Sequence, residues 1–106
     1  MPQYKFIVMT NPVEGREDEY NDWYDNVHLD DVLAVEGFTA AKRYKAAPEQ
    51  TGDVPWRYLT IYEIETEDLG KTLRTLNEIA GTEAMTVTDA IDAANTYSVA
   101  YKDLHG

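Results

Sequence analysis

The chain has 106 residues, 43% of them hydrophobic, which is enough for one domain with an apolar core and too short for two. Lys and Arg total 9 against 20 Asp and Glu, so the formal net charge of −11 disfavours binding to nucleic acid or to an anionic membrane surface. Cysteine is absent, which excludes disulfides, thiolate catalysis and cysteine-ligated metals. The longest apolar run near the N-terminus, Phe6 to Met9, is too short for a signal peptide or a membrane span, so we expect a cytoplasmic protein.

The first third of the chain predicts a strand followed by helix. Tyr4–Thr10 is rich in β-branched and aromatic residues, as strands are. In Arg16–His28, apolar residues recur every three or four positions, which predicts an amphipathic helix. A second, short helix is predicted over Asp31–Val35, with Asp30 as its N-cap and Gly37 at the left-handed position that ends it. The inward stripe of the long helix consists of Tyr20, Trp23, Tyr24, Val27 and His28.

The rest of the chain predicts three more strands and a second long helix. Thr66 is the expected N-cap of that helix, and Gly81 is expected to end it. The weaker pattern of Thr82–Ala94 is interpreted as a short helix around Val87 and Ile91. The other predicted segments are the strand Phe38–Ala46, the loop Ala47–Pro55, the strand Trp56–Glu65, with Trp56, Tyr58 and Tyr62 on one face, and the strand Thr96–Lys102.

This element order, strand-helix-strand-strand-helix-strand, predicts a single α+β domain over residues 1–106 with the ferredoxin-like arrangement. Such a domain has a four-stranded antiparallel sheet with both long helices on one face. The first and third strands are apolar on both faces, whereas a one-sided sheet would be polar toward water. We therefore expect a homodimer that packs sheet against sheet. The alternative is a monomer whose second face is covered by the Ala47–Pro55 loop and the C-terminal tail.

His28 is the main candidate for chemistry. The second histidine, His105, lies one residue from the end of the sequence, whereas His28 lies on the inward stripe of a helix. An imidazole there can act as a general acid or base near neutral pH. Asp25 and Asp31 each lie three residues away, and either could orient the ring. The alternative interpretation is a structural histidine bonded to a backbone carbonyl at the helix break.

Aromatic residues are abundant for so small a domain and predict a pocket for a flat, mostly apolar ligand. The alternative is that they form ordinary core and dimer interface. The sequence has too few candidate ligands near His28 for a metal site, and it has no phosphate-binding glycine loop, nucleophile elbow or dinucleotide fingerprint. We therefore expect no metal and no cofactor. The candidate substrate-binding residues are Tyr20, Trp23, Tyr24, Trp56, Tyr62 and Tyr97.

Several short motifs follow one another along nearly the whole chain: Asn11-Pro12, Gly15, Asn21–Asp25, His28-Leu29, Val32–Phe38, Ala41–Tyr44 and Tyr58–Glu63. Together they resemble the EthD-like branch of the dimeric α/β-barrel superfamily. The most specific of them is the WY-x-x-x-H segment that ends at His28. Relatives often carry proline after the His-Leu pair, where this chain has Asp30.

The resemblance implies a homodimer in which two sheets form a barrel, with a cavity in each subunit between its sheet and its helices. The superfamily includes cofactor-independent monooxygenases, polyketide cyclases, muconolactone-type isomerases and dehydratases, and its histidine matches His28. The resemblance therefore favours a cofactor-independent lyase, isomerase or cyclase that acts on a small hydrophobic or aromatic metabolite, with His28 as general acid/base. Two alternatives stay open: a non-catalytic, hydrophobic-ligand-binding or stress-associated dimeric module, and a cofactor-free oxygenase on a quinol-like substrate.

Overall fold

Four strands and a series of helical segments make up the computed structural model, which describes residues 1–50 and 52–105. Thr51, within the predicted loop, and Gly106 lie outside the described residues. No helix in the described ranges is both long and apolar enough to span a membrane. The elements are β1 (Gln3–Thr10), α1 (Glu17–Trp23), a π-helical turn (Tyr24–His28), α2 (Leu29–Leu33), β2 (Phe38–Lys45), β3 (Tyr58–Glu65), α3 (Leu69–Ile79) and β4 (Tyr97–Lys102).

The strands form one antiparallel sheet in the order β2-β3-β1-β4. This order is the ferredoxin-like one, in which β1 and β3 are central, and it confirms the predicted fold class. In the register of the central strands, Phe6 lies opposite Tyr62 on one side and opposite Ala100 on the other. Phe6 and Tyr62 are buried, so their face of the sheet is the one covered by the helices.

The opposite face of the sheet, here called the open face, belongs to neither of the two core clusters. Its tyrosines Tyr44, Tyr97 and Tyr101 are 43%, 48% and 58% exposed, so the described parts of the loop and tail leave them uncovered. The prediction that Trp56 shares a face with Tyr58 is wrong. Trp56 precedes β3, outside the strand's alternation, and its ring stacks on Tyr97 at 5.6 Å between centroids. The apolar residues of the open face are Ile7, Met9, Tyr44, Leu59, Ile61, Tyr97, Val99 and Tyr101.

The first helical region is continuous, and the prediction of a separate short helix capped by Asp30 is wrong. Backbone angles stay helical from the last turn of α1 through α2. In the π turn, the N–H of Leu29 donates to the carbonyl of Tyr24, five residues back. The wider turn changes the helical register, so Val27, predicted to point inward, is 39% exposed. Gly37 ends the region with φ of 100°, as predicted.

Two predictions in the second half are also wrong. The N-cap of α3 is Asp68, whose carboxylate accepts the N–H of Lys71 at 3.0 Å, and the Thr66 hydroxyl instead bonds Thr72 at 2.8 Å. Residues 82–94 contain no helix. Ile91 forms a bridge with Pro12, and backbone bonds join residues 13 and 90 and residues 92 and 11. These pairings with the β1–α1 loop satisfy backbone groups that a helix would otherwise have used.

Candidate active site

A cavity of about 310 Å³ lies between the helix-covered face of the sheet and the helices. Its walls come from three sources: the sheet, the first helical region, and α3 together with the segment that follows it. Val87 lines the cavity and is 50% exposed, so it marks the mouth. The lining residues are Phe6, Val8, Thr10, Trp23, Tyr24, His28, Tyr62, Leu76, Asn77, Ala80, Met85, Val87, Ile91, Ala93, Thr96 and Ser98.

The π turn places His28 against two aromatic rings in the cavity wall. The imidazole stacks on Trp23 with 4.4 Å between centroids and an interplanar angle of 21°. It meets the edge of Tyr24 at 5.1 Å. Trp23 is itself held, because its indole N–H donates to the carbonyl of Thr86 at 3.1 Å. The ring of His28 is therefore fixed by packing on both its neighbours in the WY-x-x-x-H segment.

Burial determines the protonation state of His28. It lowers the pKa of the imidazole to about 4, against which the nearby Asp31 carboxylate acts in the opposite direction. The ring is therefore neutral at pH 7. Nδ1 is buried and has no hydrogen-bond partner among the described residues, so it does not bond a backbone carbonyl there. Of the two candidate orienting acids, Asp31 is the one whose charge reaches His28, because Asp25 pairs with Arg43 at 2.8 Å.

Tyr62 supplies a second polar atom to the cavity. Its hydroxyl is buried and, like His28 Nδ1, has no hydrogen-bond partner in the described part of the chain. Burial, with the neighbouring Tyr24, raises the pKa of Tyr62 well above its usual range, so the phenol keeps its proton. Buried polar atoms in proteins are nearly always paired, and these two unpaired atoms belong to residues that line a single cavity.

The structure brings only part of the predicted aromatic set together. Trp23, Tyr24 and Tyr62 line the cavity beside His28. Tyr20 is fully buried outside the lining, and its hydroxyl bonds Thr10, which does line the cavity. Burial raises the pKa of Tyr20 to about 12. Trp56 and Tyr97 stack on each other at the open face, on the other side of the sheet from the cavity.

Comparison with known proteins gives structural matches only. No family model and no curated protein matches the sequence. One solved structure, a proposed monooxygenase from Shewanella loihica PV-4, has a TM-score of 0.65 at 9% identity, over 100% of this chain and 99% of its own. Another, an ethyl tert-butyl ether D (EthD) family protein from Bacillus halodurans C-125, has a TM-score of 0.65 at 11% identity, over 98% and 100%. The chain has the EthD-like fold.

Within this EthD-like fold, Arg43 contacts the aromatic cluster beside the cavity, and the sequence analysis missed this residue. Its guanidinium lies over the rings of Tyr20, Tyr24 and Tyr58, at 5.4, 4.4 and 5.2 Å from their centroids. It also donates to Asp25 and, at 2.9 Å, to Asn21, so it ties β2 to α1 and the π turn. The sequence could have pointed to Arg43 through its position, because a charged residue on the inward side of a strand requires partners.

In the EthD-like fold the site thus combines a neutral imidazole, a protonated phenol and a mostly apolar wall. An imidazole that is neutral can accept a proton from a bound molecule, and a phenol can donate a hydrogen bond to an oxygen. No group of three or more His, Asp or Glu side chains in the two described ranges is arranged to hold a metal ion. The chemistry open to these side chains is proton transfer and hydrogen bonding.

Proposed function

We propose that this protein is a cofactor-independent enzyme that moves a proton on a small hydrophobic, aromatic metabolite, with His28 as the general acid/base. The observation that carries the proposal is the neutral, half-buried imidazole in the wall of the cavity, whose buried Nδ1 is unpaired among the described residues. A purely structural histidine would normally have its buried nitrogen bonded to the protein. The volume of about 310 Å³ lies at the lower end for ligand sites, which favours a small molecule.

The properties of His28 restrict the reaction. With a pKa of about 4, the imidazole is a weak base and its protonated form is a strong acid. Because a phenol or a C–H next to a carbonyl is far less acidic than this imidazolium, His28 can remove such a proton only where the negative charge that develops on the substrate is stabilised. His28 takes that proton and returns it at another atom of the same molecule. Tyr62 donates a hydrogen bond to the oxygen on which negative charge develops. A lyase, isomerase or cyclase reaction fits this sequence of steps.

A cofactor-free oxygenase on a quinol-like substrate is the second candidate. It is favoured by the likeness in fold to the proposed monooxygenase from Shewanella loihica PV-4. The first step is shared, because proton removal by His28 would make the quinol electron-rich enough to react with O₂. The two candidates differ in their use of oxygen, so one assay run in air and under argon separates them.

The test is a turnover screen with phenols, quinols, quinones and aromatic ketones, followed by mass spectrometry and an oxygen electrode. Loss of a compound under argon supports the lyase, isomerase or cyclase, whereas loss only in air with oxygen uptake supports the oxygenase. On a compound that turns over, His28→Gln should lower kcat by roughly 100-fold or more. His105→Gln is the matched control and should keep full activity. Full turnover by His28→Gln would contradict the proposal.

The non-catalytic alternative has a different outcome in the same screen. A ligand that raises the melting temperature and is recovered unchanged indicates a hydrophobic-ligand-binding or stress-associated module. Unchanged melting with every compound, together with no turnover, would contradict both the enzymatic and the binding function.

We also propose that two copies pack through the open face as a homodimer. Support comes from the distribution of residues on that face. The aliphatic residues Ile7, Leu59 and Ile61 lie on the central strands, and tyrosines lie on the edge strands β2 and β4. An apolar centre surrounded by tyrosine is typical of protein interfaces. An uncovered apolar face of this extent is uncommon on soluble monomers.

A further inference from the structure

We propose that the cavity beside His28 selects uncharged aromatic ligands that carry a hydroxyl or carbonyl group, and rejects aromatic carboxylates of the same size. This inference rests on the proposed function, because it names the ligand class for the same cavity. It follows from the side chains that line the cavity, from the cations nearby and from the two unpaired polar atoms.

The lining offers no charged partner. Among the residues described as lining the cavity there is no Lys, Arg, Asp or Glu. Its polar members are hydroxyl or amide side chains, together with the neutral imidazole of His28. A carboxylate moved into such a site would lose its hydration without gaining a cation, which is strongly unfavourable. The uncharged polar members are Thr10, Tyr24, Tyr62, Asn77, Thr96 and Ser98.

The cation beside the aromatic cluster is engaged through both of its terminal nitrogens, and only its buried Nε has no partner among the described residues. Arg43 contacts the Tyr24 ring but is not part of the lining. One of its terminal nitrogens donates to Asp25 and the other to Asn21. Asp31 adds negative potential at His28, and the chain as a whole carries a formal charge of −11. The Asp31 carboxylate and the negative net charge both disfavour an anion in the cavity.

The unpaired atoms show which neutral group fits. The Tyr62 hydroxyl and His28 Nδ1 are both buried and both lack a partner in the described residues. The phenol of Tyr62 can donate a hydrogen bond to a carbonyl or hydroxyl oxygen of a ligand. A ligand hydroxyl can in turn donate to a neutral imidazole nitrogen. An uncharged oxygen group that reaches these atoms after a small movement of the rings around them would satisfy polar atoms that a hydrocarbon leaves unpaired.

The experiment is calorimetric titration of the full chain at pH 7 with 2-naphthol, 2-naphthamide and 2-naphthoate. The amide and the carboxylate have nearly the same shape, so their comparison isolates charge. We expect 2-naphthol and 2-naphthamide to bind roughly tenfold or more tightly than 2-naphthoate. Ser98→Phe, which fills the cavity, should abolish binding, and Ser98→Ala should retain it. Ser98 suits this test because it lines the cavity from the exposed end of β4.

The outcomes separate the inference from the proposed function. If 2-naphthoate binds as tightly as 2-naphthamide or more tightly, and Ser98→Phe blocks both, the charge selection is wrong while the aromatic cavity stands. If none of the three binds, or if binding is insensitive to Ser98→Phe, the cavity does not take an aromatic ligand. That result would overturn both the charge selection and the proposed function.

Discussion

At His28, the packing fixes the orientation of the imidazole, and its burial keeps the imidazole neutral. The ring lies between Trp23 and Tyr24, and burial keeps it neutral. Tyr62 complements it with a phenol that stays protonated because it too is buried. The pair resembles an acid and a base whose environments have moved their pKa values apart, which is common in active sites.

This neutral imidazole should make the stability of the fold depend on pH. The pKa of His28 is about 4 in the folded chain and 6.5 for a solvated imidazole, so on acidification the unfolded chain binds the proton first. Above pH 6.5 both states are neutral and His28 contributes nothing to the pH dependence. Between pH 6.5 and 4 the free energy of unfolding falls, by about 2 kcal/mol at pH 5.

Urea denaturation of the wild type and His28→Gln at pH 7 and pH 5 measures this effect. Carboxylate titrations are common to both proteins, so the difference between them isolates His28. We expect the wild type to lose more stability than the variant on going from pH 7 to pH 5. Equal losses in the two proteins would show that His28 is not held neutral.

The position of Arg43 should require a guanidinium group, and a positive charge alone should not be enough. Arg43→Lys keeps the positive charge but cannot bond Asp25 and Asn21 together while covering the Tyr24 ring. We expect it to lower the free energy of unfolding by roughly 1–2 kcal/mol. The control is Arg74→Lys on the exposed surface of α3, for which we expect less than about 0.5 kcal/mol. Chemical denaturation compares the two, and equal effects would contradict the role given to Arg43.

At the residue level, the sequence predicted proximity correctly where sequence neighbours are also spatial neighbours. Trp23, Tyr24 and His28 come together because one helical region carries them. Arg43 was missed because its partners lie about 20 residues away, on another element. The number of aromatic residues likewise does not show on which side of the sheet Trp56 and Tyr97 lie, because the side depends on strand register.

At the scale of elements, periodicity located all four strands and both long helices, but it missed the irregular features. The π turn is an added residue in a helical pattern, and the alternation of apolar residues fits a regular helix just as well. Val27 was placed inward for that reason. Residues 82–94 contain apolar residues at helical spacing, yet their backbone pairs with the β1–α1 loop.

The start of α3 gives a prediction at this scale. Asp68, rather than Thr66, accepts a backbone N–H of the first turn, so Asp68→Ala should lower the free energy of unfolding by about 1 kcal/mol. Glu67→Ala removes an exposed carboxylate next to it and should change stability by less than about 0.5 kcal/mol. Thermal and urea denaturation measure both variants. A larger loss from Glu67→Ala would contradict the assignment of the cap.

For the whole molecule, element order was sufficient to predict the ferredoxin-like sheet, because few topologies fit that order. The sequence could not say which apolar face of the sheet is covered. The structure assigns Phe6 and Tyr62 to the helix-covered side, and Ile7 and Ile61 to the open face. The cavity and the expected dimer interface therefore lie on opposite sides of one sheet.

The open face predicts the oligomeric state. Light scattering of the wild type at micromolar concentration should give about twice the chain mass of 12.1 kDa. Ile61→Glu places a charge at the centre of that face and should shift the protein to a monomer. Thr75→Glu adds the same charge on the exposed surface of α3 and should remain a dimer. A monomeric wild type would contradict the proposed homodimer.

The proposed base, His28, is a half-buried imidazole in the wall of the cavity, and burial holds it neutral at pH 7. The most direct measurement is an NMR titration of the imidazole resonances from pH 3.5 to pH 8. The chain has two histidines, and the spectrum of His28→Gln assigns the remaining signal to His105. We expect His28 to titrate with a pKa of about 4. A pKa of about 6.5, the value for a solvated imidazole, would contradict it.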